Sequence, residues 1–385
     1  MKIGIEGQRL FRKKKHGMDM VALELIRNLQ LIDTENEYFI FIKPDEDNTV
    51  LQETPNFKII QLDGGSYPTW EQIALPKAAK KYGCEILHCT SNTAPIFSDI
   101  PLITILHDII YMESSYYKIL TGSATPYQKF GNAYRKLIVP WVVRKSDKIV
   151  TVSHFEKNRI REFFGMKDDK RLTAIYNGVS THFKPITDES ELKRVKEKYH
   201  LPDQFFFFLG NTDPKKNTIG TLKAFSDFLK QSKSDYKLVM LDYDTNELEK
   251  LLIEIGNKDL IKKIVLTGYV INTDLPAIYS LCTIFLYPSL RESFGIPMLE
   301  AMGCGVPVIT SNTSSMPEVA GDAAHIINPY NPEEITQAII KILGDAAYYD
   351  TLCKKGIERN KLFSWKNMAE QVLVLYNEIK TQHYD

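Results

Sequence analysis

Residues 288–307 read PSLRESFGIPMLEAMGCGVP, and this stretch is the most informative part of the chain. It follows the apolar run Thr283–Tyr287, which has the length and composition of a buried strand. Gly295 favours a turn, and Pro297 is tolerated in the first turn of a helix, where its missing N–H has no partner to lose. The segment 303–305, with two glycines, ends that helix before a second apolar run. The stretch therefore predicts a strand, a helix and a further strand.

The same alternation of short apolar runs and helical stretches extends over the rest of the chain. It is typical of a parallel sheet that is covered by helices on both faces. In the first half, strands are predicted at Ile3–Ile5, Tyr38–Ile42, Phe57–Leu62, Glu85–Cys89, Leu102–His107, Lys148–Val152 and Leu172–Tyr176. In the second half, they are predicted at Phe205–Leu209, Lys237–Leu241, Ile264–Thr267, Thr283–Tyr287, Val306–Thr310 and Ala324–Ile327. We therefore predict an α/β protein with two doubly wound halves in tandem.

The break between the halves is predicted near Phe183-Lys184-Pro185, where the periodic pattern stops. The predicted divisions are residues 1–183, residues 184–363 and a last helix over residues 364–385. Ser364 can cap that helix, and its apolar stripe has no strand after it. The stripe therefore has to dock on another part of the protein.

Charge and cysteine content exclude several functions. The 48 Lys and Arg residues balance the 48 Asp and Glu residues, so the cationic surplus typical of nucleic-acid binding is absent. The five cysteines contain no C-x-x-C pair, and neither a zinc site nor a redox dithiol is predicted. The chain also shows no signal peptide and no apolar run of the ~20 residues that a membrane span needs. These features predict a cytoplasmic protein without a nucleic-acid partner.

In open α/β sheets, ligands bind beyond the carboxyl ends of the strands. The backbone amides of four residues at the predicted helix start would form an anion site suited to a diphosphate: Ser293, Phe294, Gly295 and Ile296. Glu292 and Glu300 flank them, about 12 Å apart if the intervening residues are helical. Two carboxylates at that separation suit the sugar and the ribose of a sugar nucleotide. The spacing alone is equally compatible with a solvated Glu292 and a Glu300 that has no role.

Glu292 and Glu300 within this stretch resemble the E-x7-E signature of retaining glycosyltransferase family 4. Further segments resemble the family in order along the chain: His107-Asp108, Thr151–Ser153, Tyr176–Val179, Gly210–Asn217, Leu266–Val270 and Ser314–Val319. The resemblance covers nearly the whole chain. It implies the GT-B fold, in which two Rossmann-like domains face each other across a cleft. It also implies an N-terminal acceptor domain, a C-terminal nucleotide-sugar domain and a last helix that crosses back to the first.

The resemblance also implies roles for residues of the second half. Lys216 corresponds to the lysine that binds the donor phosphates, whereas Lys215 is expected to be solvated. Asn211 occupies a donor-binding position at which many members carry Arg. Gly268, Tyr269 and Val270 form the turn that binds the base.

In the first half, the resemblance implies that His107 contacts the donor sugar and supports the reacting centre. Gly17 would let the loop after the first strand approach the donor phosphates closely. The same loop carries a cationic run of four residues, Arg12, Lys13, Lys14 and Lys15. We hypothesise that this run meets an anionic acceptor, such as a lipid-linked saccharide or the headgroups around it. The alternative is a solvated loop without a ligand.

These features together predict a retaining, metal-independent hexosyltransferase that needs no cofactor. The predicted donor is a nucleotide diphosphate sugar. The resemblance of His107-Asp108 and Gly210–Asn217 to mannosyltransferase-like members of the family implies GDP-mannose ahead of a UDP-hexose. The predicted acceptor is a saccharide or lipid-linked saccharide in surface polysaccharide or glycoconjugate synthesis, reached at the inner face of the membrane. The segment Asp242-Tyr243-Asp244 matches a metal-binding Asp-x-Asp pattern but is interpreted as a solvated strand end. A phosphorylase, a sugar-nucleotide epimerase and a non-catalytic two-lobed binding protein are the alternatives.

Overall fold

The computed structural model describes residues 1–13, 15, 17–113, 126–167, 169–210 and 212–384. The chain divides into two compact units, Met1–Gly178 with Trp365–Asp385, and Val179–Ser364. The sequence-based boundary after residue 183 differs slightly from this division. Phe183 belongs to the second unit because its ring packs against Tyr279, with 6.1 Å between the ring centroids.

The first unit contains a seven-stranded parallel sheet in the order β3-β2-β1-β4-β5-β6-β7. Its strands are β1 (Lys2–Glu6), β2 (Glu37–Ile42), β3 (Phe57–Gln61), β4 (Ile86–Cys89), β5 (Leu102–Leu106), β6 (Lys148–Thr151) and β7 (Leu172–Ala174). Its helices are Gly17–Ile32, Tyr67–Thr69, the π-helix Trp70–Ala74, Leu75–Lys81, Ile110–Glu113, Pro126–Lys145, His154–Phe164 and the C-terminal helix Trp365–Tyr384.

The C-terminal helix packs against the helix Gly17–Ile32. Its apolar stripe, expected from the sequence to need a docking surface, is buried in this unit. The Tyr376 hydroxyl lies 2.7 Å from Nδ1 of the buried His88 on β4. Near the end of the helix, the Tyr384 hydroxyl donates to the Glu85 carbonyl at 3.0 Å. Apolar burial and these hydrogen bonds hold the last helix on the first unit.

The second unit contains a six-stranded parallel sheet in the order β10-β9-β8-β11-β12-β13. Its strands are β8 (Phe205–Phe208), β9 (Lys237–Met240), β10 (Ile264–Leu266), β11 (Ile284–Tyr287), β12 (Val308–Ser311) and β13 (His325–Ile327). Its α-helices are Glu189–Lys198, Thr218–Ser232, Thr245–Glu254, Leu275–Leu281, Ile296–Gly303, Met316–Ala320, Pro332–Gly344 and Ala346–Asn360. Its 3-10 helices are Pro214–Lys216, Lys258–Lys263 and Asn272–Asp274.

Four consecutive phenylalanines form β8, and all four are buried because helices cover both faces of the sheet. On one face, the helices Thr218–Ser232 and Pro332–Gly344 pack against each other and contribute to the apolar core of this unit. A hydrogen bond of 3.1 Å from the Thr336 hydroxyl to the Ala224 carbonyl joins these two helices.

The prediction of two doubly wound parallel sheets is confirmed. In each sheet, the strand order reverses direction at one place, between β1 and β4 in the first unit and between β8 and β11 in the second. At such a switch point, the loops after the two central strands run to opposite sides and leave a crevice. Within the described ranges, no helix is both long and apolar enough to cross a membrane.

Candidate active site

The switch point of the second unit is closed by contacts between the loop after β8 and the loop after β11. The Leu290 amide donates to the Lys215 carbonyl at 2.7 Å. The Asn217 side-chain amide donates to the Pro288 carbonyl at 3.1 Å and to the Pro329 carbonyl at 2.7 Å. Asn217 itself has a left-handed backbone, with φ of 59°. The two loops are thereby locked together at the carboxyl edge of the sheet.

These loops bring Lys216 and Glu292 into a close ion pair, with 2.5 Å between Nζ and Oε1. Only 16% and 13% of the two side chains are exposed. The Lys216 ammonium also lies 5.2 Å from the centroid of the Tyr287 ring. Lys215 points elsewhere, because its ammonium pairs with Asp213 at 3.4 Å. The structure therefore gives the two lysines different partners, and the donor role of Lys216 stays a prediction.

Tyr287, the last residue of β11, is a member of this site that the sequence reasoning missed. Its pKa lies well above the ordinary value because it is buried and because Glu292 and Glu300 are both close enough to disfavour a phenolate. Both carboxylates of the E-x7-E pair therefore raise the pKa of the same tyrosine. A tyrosine at the carboxyl end of a central strand was the available signal, since that is where ligands bind in such sheets.

The loop between Glu292 and the following helix is held by two serines. The Glu292 amide donates to the Ser314 hydroxyl at 3.0 Å. The Ser315 hydroxyl donates to the carbonyls of Glu292 and Phe294, at 3.0 and 3.1 Å. Gly295 then takes a φ of 102°, which side chains disfavour, and the helix Ile296–Gly303 begins. The predicted turn and helix start are thus in place.

Glu300 lies on this helix and accepts a hydrogen bond of 3.1 Å from the Tyr279 hydroxyl. Burial raises the pKa of Glu300 to about 7, although the Tyr279 bond opposes the shift. Near neutral pH, both the acid and the carboxylate forms are therefore populated. Tyr279 is a second residue that the sequence reasoning did not single out.

The turn after β10 carries the three residues assigned to the base. Gly268 has a φ of 68°, and its carbonyl accepts from the Asp242 amide at 3.1 Å. Tyr269 is exposed, whereas Val270 is buried. Nearby, Asp244 of the Asp-x-Asp pattern caps the helix Thr245–Glu254. The predicted donor residue Asn211 lies outside the described residues.

In the first unit, His107 follows β5 and is buried. Its Nε2 lies 2.9 Å from the Thr90 carbonyl, so this nitrogen carries the proton and donates. Its backbone amide donates to the Asn92 side-chain oxygen at 2.6 Å. Burial lowers the pKa of His107, and the ring is therefore neutral at pH 7. Nδ1 of the neutral ring is then a hydrogen-bond acceptor.

Three acidic or basic side chains that the sequence reasoning missed are buried at the same edge. Glu6 ends β1, and its carboxylate accepts hydrogen bonds from the Gln8 backbone amide and the Thr90 hydroxyl, both at 2.9 Å. Arg9 pairs with Asp19, with 3.2 Å between Nε and Oδ1. Their position at the end of β1, in the loop after it and in the first turn of the next helix was a usable signal, but buried charged side chains are rarely expected from sequence.

Two of the four cations in the run after β1 form ion pairs within the first unit. Lys13 pairs with Glu46 at 3.1 Å, and Lys15 pairs with Asp47 and donates to the Arg12 carbonyl. Lys14, a further residue of the predicted run, lies outside the described residues. Gly17 begins the first helix, and a Cβ added there would meet no atom within 4 Å. Packing therefore does not require a glycine at this position.

Comparison with curated proteins gives partial-length matches to mannosyltransferases. The chain is 34% identical over 231 residues to O-antigen chain mannosyltransferase B of Escherichia coli, a match that covers 59% of this chain and 60% of that protein. It is 32% identical over 228 residues to the serotype-specific mannosyltransferase WbdA of Escherichia coli, of which the match covers 28%. O-antigen chain mannosyltransferase RfbU of Salmonella typhimurium is 27% identical, with 70% of this chain and 71% of that protein covered.

Solved structures resemble the chain over its whole length. The sucrose-phosphate synthase of Thermosynechococcus elongatus superposes with a TM-score of 0.76 at 19% identity, and 99% of each chain is covered. Anabaena HepE in complex with UDP-glucose gives a TM-score of 0.75 at 15% identity, with 98% and 100% covered. At such identities the likeness establishes the fold, which is GT-B.

Two family descriptions match consecutive parts of the chain. Residues 16–183 match the description "Glycosyltransferase Family 4", and residues 189–360 match "Glycosyl transferases group 1". The first match contains His107, and the second contains Lys216, Glu292 and Glu300. The resemblance noted in the sequence is confirmed, and the chain belongs to the glycosyltransferases of these two family descriptions.

Proposed function

We propose that this chain is a retaining mannosyltransferase that uses GDP-mannose as donor. The observation that carries the proposal is the Lys216–Glu292 ion pair at the switch point of the second unit. A cation and a carboxylate are held there beside a helix start, where a sugar diphosphate presents a charged group and hydroxyls together. The names of the Escherichia coli and Salmonella relatives support mannose as the sugar.

The donor would take over both partners of this ion pair. Lys216 moves from Glu292 to the diphosphate, where its ammonium neutralises the charge that develops as GDP leaves. The amides at the start of the helix Ile296–Gly303 add hydrogen bonds and the favourable end of the helix dipole. Glu292, released from Lys216, accepts hydrogen bonds from hydroxyls of the mannosyl group.

The remaining donor contacts are assigned to residues at the same carboxyl edge of the sheet. Glu300 accepts hydrogen bonds from the two ribose hydroxyls, as its carboxylate already does from Tyr279. The Gly268–Val270 turn and Asn211 contribute to the base and diphosphate sites. In the first unit, we assign the neutral His107 to the donor sugar.

In the transfer step, the bond from the anomeric carbon to the phosphate oxygen breaks, and a bond from that carbon to the acceptor oxygen forms. The acceptor approaches the face from which GDP departs, so the configuration is retained. The proton of the acceptor hydroxyl passes to the departing phosphate oxygen. None of the steps assigned here to residues of this chain calls on a metal ion.

The acceptor is proposed to be a saccharide or lipid-linked saccharide of a surface polysaccharide, handled on the cytoplasmic side. The run Arg12–Lys15 remains our candidate for contact with an anionic acceptor. A UDP-hexose is the second candidate donor, because HepE of the same fold is described in complex with UDP-glucose.

A thermal-shift panel tests the donor assignment on the full-length chain. GDP, GDP-mannose, UDP and UDP-glucose are compared, and a ligand at 100 times its Kd should add about 2.7 kcal/mol to the unfolding free energy. GDP-mannose should give the largest shift, and Lys216→Ala should remove it while Lys215→Ala retains it. Equal shifts in both variants, or no shift with any nucleotide, would contradict the proposal.

The reaction itself is tested by following GDP release with and without an acceptor saccharide. Release that needs the acceptor, together with an α-linked product, supports retaining transfer. An epimerised sugar nucleotide formed without acceptor indicates an epimerase, net GDP release without acceptor indicates hydrolysis of the donor, and activity that requires free phosphate indicates a phosphorylase.

A further inference from the structure

The helix Pro126–Lys145 in the first unit has an unusual charge pattern. Its 20 residues contain five basic side chains and no acidic one, in a chain whose total charge is zero. Two of the five are engaged nearby: Lys136 donates to the Met112 carbonyl, and Arg135 lies over the Tyr111 ring. The other three, Lys129, Arg144 and Lys145, form no ion pair with any described residue.

One face of this helix is anchored in the unit. Ile138, Val139, Val142 and Val143 are buried in its apolar clusters. The Tyr134 hydroxyl donates to the buried Glu71 carboxylate at 2.6 Å. The orientation of the helix is therefore fixed, and the residues that it turns outward are not free to rotate into the core.

The outward face is apolar and aromatic. Phe130, Leu137 and Trp141 are 57%, 61% and 54% exposed. Their spacings of seven and four residues place them on one side of the helix, and we call them the 130–141 stripe. At its end, the Arg144 guanidinium lies 5.7 Å from the centroid of the Trp141 ring. Large apolar side chains in a row are costly to leave in water and mark interaction surfaces.

A neighbouring loop carries a further exposed apolar side chain. Ile96 and Ile100 pack into the same apolar cluster as Ile138 and Val142. Between them, Phe97 is 85% exposed. The loop also carries an acidic residue, Asp99, which is exposed. The helix and the loop each expose large apolar side chains, and the helix carries a local excess of positive charge.

We propose that the 130–141 stripe, with Lys129, Arg144 and Lys145, binds the surface of an anionic lipid bilayer. Aromatic and leucine side chains that enter the headgroup region, flanked by cations, are the pattern of an interfacial helix. Charge complementarity selects anionic lipid. The Arg12–Lys15 loop fits this role less well, because Glu46 and Asp47 neutralise two of its cations. This inference does not depend on which sugar the protein transfers.

The chain carries its own reporter for this binding. It has three tryptophans, and Trp70 and Trp365 are 0% and 7% exposed. Trp141 is therefore the tryptophan that solvent and lipid can reach. Vesicles of phosphatidylcholine with phosphatidylglycerol should shift its emission to the blue, and lipids brominated on the acyl chains should quench it. Vesicles of phosphatidylcholine alone should bind much more weakly.

Sedimentation with the same vesicles measures the contribution of each part. The double change Phe130→Gln and Leu137→Gln should weaken binding about tenfold or more, because the buried apolar area is lost. The double change Arg144→Glu and Lys145→Glu should weaken binding at least as much, since each lost cation costs roughly fivefold before repulsion is counted. Salt at about 1 M should reduce the binding of the unchanged protein, because it shortens the screening length to about 3 Å.

Leu31→Gln is the matched control, since Leu31 is a similarly exposed leucine on the helix Gly17–Ile32. It should leave vesicle binding unchanged, and all variants should keep the melting temperature and the nucleotide-induced shift. The inference is overturned if the unchanged protein does not sediment with anionic vesicles. It is also overturned if the stripe variants sediment with anionic vesicles as strongly as Leu31→Gln does. That result would overturn it even if the same face were found to bind a protein. Failure of the nucleotide shift alone would contradict only the proposed function.

Discussion

Each unit has one switch point in its sheet, and we call the two the β1/β4 crossing and the β8/β11 crossing. They carry different charged and polar side chains. At the β8/β11 crossing, a largely buried cation faces a carboxylate, Lys216 against Glu292. At the β1/β4 crossing, the carboxylate of Glu6 is fully buried and accepts neutral donors from Gln8 and Thr90. The imidazole at this edge, His107, is kept neutral by burial.

This difference shows why topology alone does not assign a ligand. We propose that Lys216 exchanges Glu292 for a diphosphate, since opening this ion pair between two loops breaks no hydrogen bond of the sheet. Glu6 cannot do so cheaply, because each donor that it satisfies is itself buried and would lose its partner. We therefore propose a charged ligand for the second crossing, and structural support together with neutral sugar hydroxyls for the first.

The largest effect is expected from Lys216→Ala, which removes the cation that distinguishes the two crossings. We expect kcat/KM to fall about 10²–10³-fold, the usual cost of losing one stabilising group in a transition state. Lys215→Ala is the matched control and should change kcat/KM less than about threefold, because its ammonium pairs with Asp213. Equal losses in the two variants would show that the ion pair does not mark the donor site.

Glu292→Gln should separate sugar recognition from nucleotide recognition. If Glu292 accepts sugar hydroxyls, the variant should bind GDP nearly as well as the unchanged protein but lose about tenfold or more in kcat/KM. Calorimetry with GDP and GDP-mannose, beside steady-state kinetics, measures both quantities. A variant that loses GDP affinity to the same extent as GDP-mannose affinity would place Glu292 at the diphosphate instead.

His107→Ala tests the first crossing. We expect kcat to fall about tenfold, roughly the cost of a hydrogen bond to the reacting sugar, with GDP affinity unchanged. Because the pKa of His107 is lowered, the ring stays neutral as pH falls from 8 to 7, and its contribution should be constant over that range. An activity that declines there in the unchanged protein but not in His107→Ala would contradict this assignment.

The pH dependence of donor binding should report on Glu300. Its pKa is raised to about 7, so GDP-mannose affinity should fall as pH decreases through 7, when the protonated carboxyl accepts less well from ribose. The folding stability of the unbound protein should show the opposite trend and rise as pH decreases through 7. A raised carboxyl pKa gives stability that is lost as pH rises from the ordinary value of 4.5 toward 7. Glu300→Gln should flatten the pH dependence of both GDP-mannose affinity and stability. Unaltered slopes in this variant would contradict the assignment of Glu300 to the ribose.

Gly17→Ala should have the smallest effect and bears on the loop after β1. A Cβ there meets no atom, so the melting temperature should stay the same or rise slightly. If Gly17 allows the donor phosphates to approach, the KM for GDP-mannose should rise severalfold. An unchanged KM would show that Gly17 has no donor contact.

Much of the second unit was predictable from the chain alone. The apolar run at Phe205–Leu209 could only be a buried strand, so the loop after it had to deliver Lys216 to the carboxyl edge. The turn at Gly295 and the helix that follows are local features, because backbone preferences of neighbouring residues specify them. The E-x7-E pair could be recognised for the same reason, because its two glutamates lie close together in the sequence.

The residues that escaped prediction depend on contacts between distant segments. Tyr279 and Tyr287 join the site only because a helix and a strand bring their hydroxyls to the two glutamates. The burial of Glu6, Arg9 and Asp19 likewise follows from packing around β1, and no short pattern announces it. The cations at Arg12–Lys15 look free in the sequence, whereas Glu46 and Asp47 neutralise two of them.

Two parallel sheets, the strand ends with the loops that follow them, and the family could all be recognised from the amino-acid sequence. These depend on periodicity and on short motifs, which neighbouring residues encode. The pairing of charges, the raised pKa of Glu300 and the exposed apolar face of the helix Pro126–Lys145 became visible only in the folded chain. The physical reason is that burial and ion pairing depend on residues up to hundreds of positions apart, such as His88 and Tyr376.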